Sequence, residues 1–230
     1  VASALEIVTV AHQAAVNFNN VMGRPILCGF FRTLSVPSGE GEDGRQRIHG
    51  FHKPLMLTGG VGRIAESARI QEKHSAGMPI ILLGGESMPV SVGGGNQSFT
   101  DFKPSYGDQM LMQQINASKQ RSNQNLLIQC MSMAEHSPLR AVIEVGYGGL
   151  ARAVTALVLQ GKCGAYIQIA NIPVAEDGMN PLEVWCNESQ HRMLLVVEDK
   201  HLLNLVRFAE RHYCQYSIIG HTLSERSIQV

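Results

Sequence analysis

With 230 residues, 44% of them hydrophobic and 17% charged, the chain has apolar material for one large domain, or one domain and part of another. Its 19 basic residues balance its 19 acidic ones. That balance excludes a surface built for sequence-independent nucleic-acid binding or for an anionic membrane, since both need a basic excess. No apolar run approaches the ~20 residues that span a bilayer. Five scattered cysteines without a CxxC pair predict reduced thiols in a cytoplasmic protein. The chain starts at Val1 with neither an initiator Met nor a signal-peptide pattern, and is expected to be a piece of something longer.

Residues 1–33 carry apolar pieces but too few to build a core, and read as the tail of a domain. Residues 34–50 are rich in Gly, Pro and charge and read as a linker or surface loop. From 51 to 230 strand and helix patterns alternate. Short Ile- and Val-rich runs bounded by Gly or Pro predict strands at 54–57, 80–83, 141–145, 165–170, 193–197 and 217–219. Three apolar stripes predict helices: Leu127, Cys130, Met131 and Ala134; Leu150, Ala153, Val154 and Leu157, with Gly161 as a stop; and Leu202, Leu205, Val206 and Ala209. These stripes are core faces, and the result is a mixed α/β domain with no internal repeat.

Several segments carry candidate chemistry. Gly59, Gly60 and Gly62 follow a predicted strand, but the spacing fits neither a Walker A loop nor a Rossmann turn. Gly93, Gly94 and Gly95 could form a backbone nest for phosphate oxygens, or simply a loop. Gly146, Gly148 and Gly149 lie at a strand-to-helix junction, where free N–H groups stabilise phosphate, or where a tight turn suffices. Glu144, at the end of that strand, is the candidate Mg²⁺ ligand, or a single surface acid. Residues 177–190 crowd polar side chains around the sole Trp; Cys186 there reads as a structural thiol because no base but His191 is near. His49 and His52 lack a third ligand for zinc.

In order and spacing these motifs resemble the phosphoribosylformylglycinamidine synthase family. Phe18-Asn-Asn-Val-Met-Gly-Arg-Pro25, Gly29-Phe-Phe-Arg-Thr33 and His49-Gly-Phe-His-Lys-Pro-Leu-Met56 are similar to family motifs. Gly178 to Gln190, ending in Trp185-Cys-Asn-Glu-Ser-Gln190, matches nearly residue for residue, and Tyr216-Ser-Ile-Ile-Gly220 closes the set. The resemblance implies an α/β fold: a B-type domain (51–230) like the C-terminal domain of aminoimidazole ribonucleotide synthetase, after the tail of an A-type domain (1–33). It implies the first synthetase half of a multidomain ligase. That enzyme uses ATP, Mg²⁺ and glutamine to convert formylglycinamide ribonucleotide to its amidine, with the remaining synthetase and glutaminase domains as partners. No catalytic residue is implied within this piece, which is expected to be inactive alone. Nucleotide contact is implied at Cys28, Gly29 and Phe30, through backbone. Gly93–Gly95 and Gly146–Gly149 match loops that line the synthetase halves.

The sequence departs from the family pattern at several places, among them Glu86-Ser87 where the family has Pro-Ala, and His12 and Gln13 in place of Gly-Pro-Leu-Gly. The family's His-Asp-Val-Gly-Ala-Gly-Gly reads Ile143-Glu144-Val145-Gly146-Tyr147-Gly148-Gly149, and its Gln-Arg-Asp-Asn-Pro-Glu reads Gln120-Arg121-Ser122-Asn123-Gln124-Asn125. Lost carboxylates weaken a site that neutralises phosphate with Mg²⁺. A synthase-like module without catalysis, acting in protein–protein contact, is the alternative these changes favour.

Overall fold

The computed structural model describes residues 3–26, 35–41, 43–50, 59–66, 74–89 and 116–230. Contacts divide the chain into two compact units, Val1–Arg63 and Ile64–Val230. The expected strand at 54–57, along with Cys28, Gly29, Phe30, His52 and Gly93 to Gly95, lies outside the described residues.

The first unit contains helix α1 (Ala4–Val21). Ser3 and Glu6 form a reciprocal capping box at its start, Ser3 Oγ accepting from Glu6 N at 3.2 Å and Glu6 Oε2 from Ser3 N at 3.3 Å. The segment expected as a linker contains an antiparallel hairpin, β1 (Ser35–Glu40) paired with β2 (Gln46–Gly50). Both strands are exposed almost throughout, so no alternation of apolar and polar residues marks them. A register shift between Pro37 and Glu40 accommodates the proline, which cannot donate to a ladder.

The second unit is a six-stranded sheet covered by helices on both faces. Its strands are β3 (Pro79–Leu83), β4 (Leu139–Val145), β5 (Gly164–Ile167), β6 (Arg192–Val197), β7 (Tyr216–Leu223) and β8 (Ile228–Gln229), in the order β4-β6-β3-β7-β5-β8. All neighbours are antiparallel except the β5–β8 edge pair. Alternation of side chains decides which face each residue serves. On one face Ile80, Leu82, Leu194 and Val196 meet helix α3 (Gly149–Gly161), through Leu150, Val154 and Leu157. On the other, Ile81, Leu83, Leu195 and Val197 meet helices α2 (Ala117–Ser132) and α5 (Leu202–Arg211), through Leu126, Leu205 and Ala209. The short helix α4 (Pro181–Cys186) adds Val184 to the first face. Burial on both faces is why β3 and β6 read as unbroken apolar runs; each fully buried Leu or Ile contributes ~1.5–3 kcal/mol.

Of the stripe expected from Leu127 to Ala134, Met131 is exposed and Ala134 lies past the end of α2 in a 3₁₀ turn at φ 49°, so its core face rests on Leu126 and Cys130. Other expectations shift at their ends. The strand expected over 165–170 stops at Ile167 and passes into a 3₁₀ turn, Ile169–Asn171. The strand expected over 217–219 runs on to Leu223, its polar end hidden from an apolar count: buried Thr222 donates to Ser75 O at 2.6 Å and accepts from Met78 N at 2.9 Å. Gly161 ends α3 rather than following it, and Lys162 (φ 51°) makes the left-handed turn. A small residue is required at 161 because a Cβ there would lie 2.1 Å from the ring of His74.

His74 is 3% exposed and neither ring nitrogen has a partner, so burial lowers its pKa. Burial likewise lowers that of His191, against an opposing pull from the Glu144 charge. Below the ordinary value of 6.5 the unfolded chain therefore takes up protons that the folded chain refuses. Urea unfolding at pH 8, 6.5 and 5 is expected to give falling stability as pH drops, and His74→Leu to flatten that slope whatever its effect at pH 8. A separate loss follows between 4.5 and about 2, where Glu198 is held down by hydrogen bonds from Lys200 and Arg140.

Candidate functional site

The 178–190 segment folds by local rules before it builds anything larger. Asn180 caps α4, its Oδ1 accepting from Glu183 N at 3.0 Å while Glu183 Oε2 accepts from Asn180 N at 2.8 Å, and Pro181 occupies the first helical position. At the other end the Asn187 amide nitrogen donates to Glu183 O (2.7 Å), which also accepts from Asn187 N (3.0 Å), and to Val184 O (2.9 Å) in the last turn. Its oxygen then accepts from Ser189 Oγ at 2.6 Å.

That oxygen also belongs to the shell of Arg192, whose side chain is fully buried. Arg192 Nη2 donates to Asn187 Oδ1 (2.8 Å) and Asn187 O (2.9 Å), Nη1 to Ser87 Oγ (2.8 Å), and Nε to Ser189 O (3.2 Å). Ser189 Oγ accepts from Met88 N at 2.8 Å, and the Ser87 backbone pairs with Pro173 and Ala175. Burial pulls the guanidinium pKa down to about 10, so it remains charged at neutral pH. Four oxygens solvate it in place of water, as a cation at such depth requires. The result is a junction of three chain segments rather than an open site.

The glycine run is part of the same junction. Glu188, 6% exposed, accepts from Gly148 N through Oε1 at 2.7 Å, and Gly149 N donates to Gly146 O at 3.0 Å. The N–H of Gly148, expected to face phosphate, thus already holds a carboxylate of the protein. Gly149 has φ 61°, and a Cβ on it would lie 2.5 Å from Asn187 O and 2.7 Å from Cys186 C. Glycine is needed there so that the start of α3 can press against the end of α4.

Glu144 stands exposed near the end of β4, opposite Met193. Its charge acts on His191, a residue at φ 61° whose Nε2 is buried without a partner. Asn123 Nδ2 donates to His191 O at 3.3 Å, and Gln120, one turn earlier on α2, has a buried Oε1 without a partner. Among the described residues no group of three His, Cys, Asp or Glu side chains gathers to hold a metal. Cys186 is free, as are Cys130, Cys163 and Cys214; burial pushes the Cys130 thiol to about 12. Sequence reasoning took the 177–190 segment without Arg192, and did not connect it with Ser87. The available signal was a lone Arg opening an otherwise apolar strand, since such a residue, once buried, needs a full set of acceptors.

Arg192→Met would strand four acceptors and is expected to lower unfolding free energy by about 3 kcal/mol or more. Glu188→Gln keeps an oxygen for Gly148 N–H and should cost about 1 kcal/mol or less. Glu188→Ala should fall between the two. Urea melts of the three variants check the order, and an Arg192→Met chain as stable as the parent would remove the junction from the account.

Residues 75–230 match the family model described as AIR synthase related protein, C-terminal domain. Over 99% of its length the chain is 35% identical to a phosphoribosylformylglycinamidine synthase of Schizosaccharomyces pombe, and over 100% it is 33% identical to that of Saccharomyces cerevisiae. It spans 17% of the length of each. Among solved structures it is similar in fold to PurL of Thermotoga maritima complexed with ATP, with a TM-score of 0.59 and 18% identity over 93% of this chain and 31% of that one. The same protein complexed with FGAR gives a TM-score of 0.60 at 18% identity, over 91% and 32%. No helix among the described residues is long and apolar enough to cross a membrane. The chain belongs to the AIR synthase related protein family, through that family's C-terminal domain.

Proposed function

We propose that this chain serves as the first synthetase half of a phosphoribosylformylglycinamidine synthase, the ligase that uses ATP and glutamine to convert formylglycinamide ribonucleotide to its amidine. The observation that carries the reading is identity sustained over the whole chain with two curated relatives of that name. Residues 1–33 are then the tail of an A-type domain and the sheet-bearing unit is the B-type domain. Its role is to scaffold the synthetase core against the other domains of a longer protein in the cytoplasm. The junction around Arg192 suits such a role, because it holds two strands and two helix ends in one arrangement without needing a ligand.

An auxiliary nucleotide site in this half involves Cys28, Gly29 and Phe30, Gly93 to Gly95, the Gly146–Gly149 loop, and Mg²⁺ on Glu144. Phosphate must displace Glu188 from Gly148 N–H to use the last loop, and Glu144 brings one carboxylate where Mg²⁺ binding favours more. Affinity in this half is accordingly low. The same two facts favour the second reading, a module without catalysis that acts in protein–protein contact.

Two measurements separate these readings. Isothermal titration of the 230-residue chain with ADP and Mg²⁺ is expected to give no saturable binding in the micromolar range; a micromolar Kd would overturn the low affinity. Assay of the longest protein encoded with this segment is expected to show amidine formation dependent on ATP and glutamine. An inactive full-length protein that still folds would favour the interaction module.

A further inference from the structure

A cavity of about 390 Å³ opens where the last turn of α3 meets β8 and the loop before it. Its walls are apolar, from Val158, Leu159 and Ile228, with Cys163 beside them. Leu159 and Ile228 remain 72% and 39% exposed. Two exposed cations, Lys162 and Arg226, also line it, and among the described residues neither has an ion-pair partner. The remaining lining residue is Ser227, whose Oγ is buried without a hydrogen-bond partner.

The loop that carries Ser227 is tied to β5. Ser227 N donates to Glu225 O at 2.8 Å and Ser227 O accepts from Ala165 N at 2.9 Å. A Cβ on Gly164 would lie 1.9 Å from Glu225 O and 2.6 Å from Ser227 O, so the two backbones are in close contact. A rigid, half-open apolar cleft with one unpartnered hydroxyl and two uncompensated cations has the features of a small-molecule site, and its volume lies within the ~300–1,000 Å³ usual for one. The negative end of α3 also points here, equivalent to roughly half a charge, and two full positive charges outweigh it. The Val158 carbonyl at that end already accepts from the backbone N–H groups of Lys162 and Cys163.

We propose that this cavity binds an amphipathic anion: an aliphatic or aromatic body against Val158, Leu159 and Ile228, its anionic head between Lys162 and Arg226, with Ser227 Oγ donating to that head. The site is independent of the nucleotide reading, since none of its residues belongs to the Arg192 junction or to the glycine loops.

The probe is 8-anilinonaphthalene-1-sulfonate, whose aromatic body and sulfonate reproduce the two halves of such a ligand. Fluorescence titration of the 230-residue chain at pH 7.5 is expected to give one saturable site. Binding should weaken tenfold or more in the Lys162→Glu, Arg226→Glu double variant and in Leu159→Glu, and severalfold in Ser227→Ala. All substituted side chains but Ser227 are exposed, so folding should survive, and unchanged circular dichroism melts check that. Lys200→Glu, on another surface, should bind as the parent does. Equal affinity in the parent and the double variant would overturn the proposal. So would probe-induced amide shifts confined to other parts of the chain, or a dimer formed through this face that leaves the cavity closed to the probe.

Discussion

The Arg192 guanidinium lies where water cannot reach it and is solvated by Ser87 Oγ, Ser189 O and the two oxygens of Asn187. A charge at that depth is tolerable only while its acceptors stay in place, so the requirement passes to whatever holds them. Asn187 is held by the end of α4, Ser87 by backbone pairing with Pro173 and Ala175, and Ser189 by its own turn and by Met88. Because Arg192 opens β6 opposite Val145 at the end of β4, the loop into α3 is brought beside the same cluster. Glu188 then reaches Gly148 N–H, and Gly149 comes against Asn187.

This chain of dependencies changes what the polar chemistry of the 187–190 segment means physically. Asparagine, glutamate and serine in one short run suggest a site for a ligand, yet Asn187, Glu188 and Ser189 direct their polar atoms at the protein itself. The glycines suggest phosphate, yet Gly149 answers a close approach of backbone and Gly148 N–H answers a carboxylate. Buried polar atoms without partners include both ring nitrogens of His74. Of the others, Gln120 Oε1 and His191 Nε2 are near the ends of α2 and β6, and Ser227 Oγ lines the cleft at the far edge of the sheet. The polar groups that build the scaffold and those left without partners are thus different residues of one domain.

Elements whose burial is one-sided or complete were legible. β3 and β6 announced themselves as apolar runs because both faces of the sheet are covered, and α3 and α5 by stripes at helical spacing. Elements held by backbone pairing or polar contacts left no such trace. The β1–β2 hairpin is polar on both faces, the end of β7 depends on Thr222, and β8 is two residues at an edge. Gly161 looked like a stop for α3, but its size serves the ring of His74, a partner far away in sequence.

In the sequence by itself, motif order carried the resemblance to the family and apolar periodicity the mixed α/β class, because both are local properties that a linear reading can count. Only the tertiary structure decided what the motifs do. Whether a buried side chain faces a ligand or another part of the chain depends on which distant oxygen or amide arrives beside it. That was settled for Glu188 by Gly148, and for Arg192 by Ser87 and Asn187.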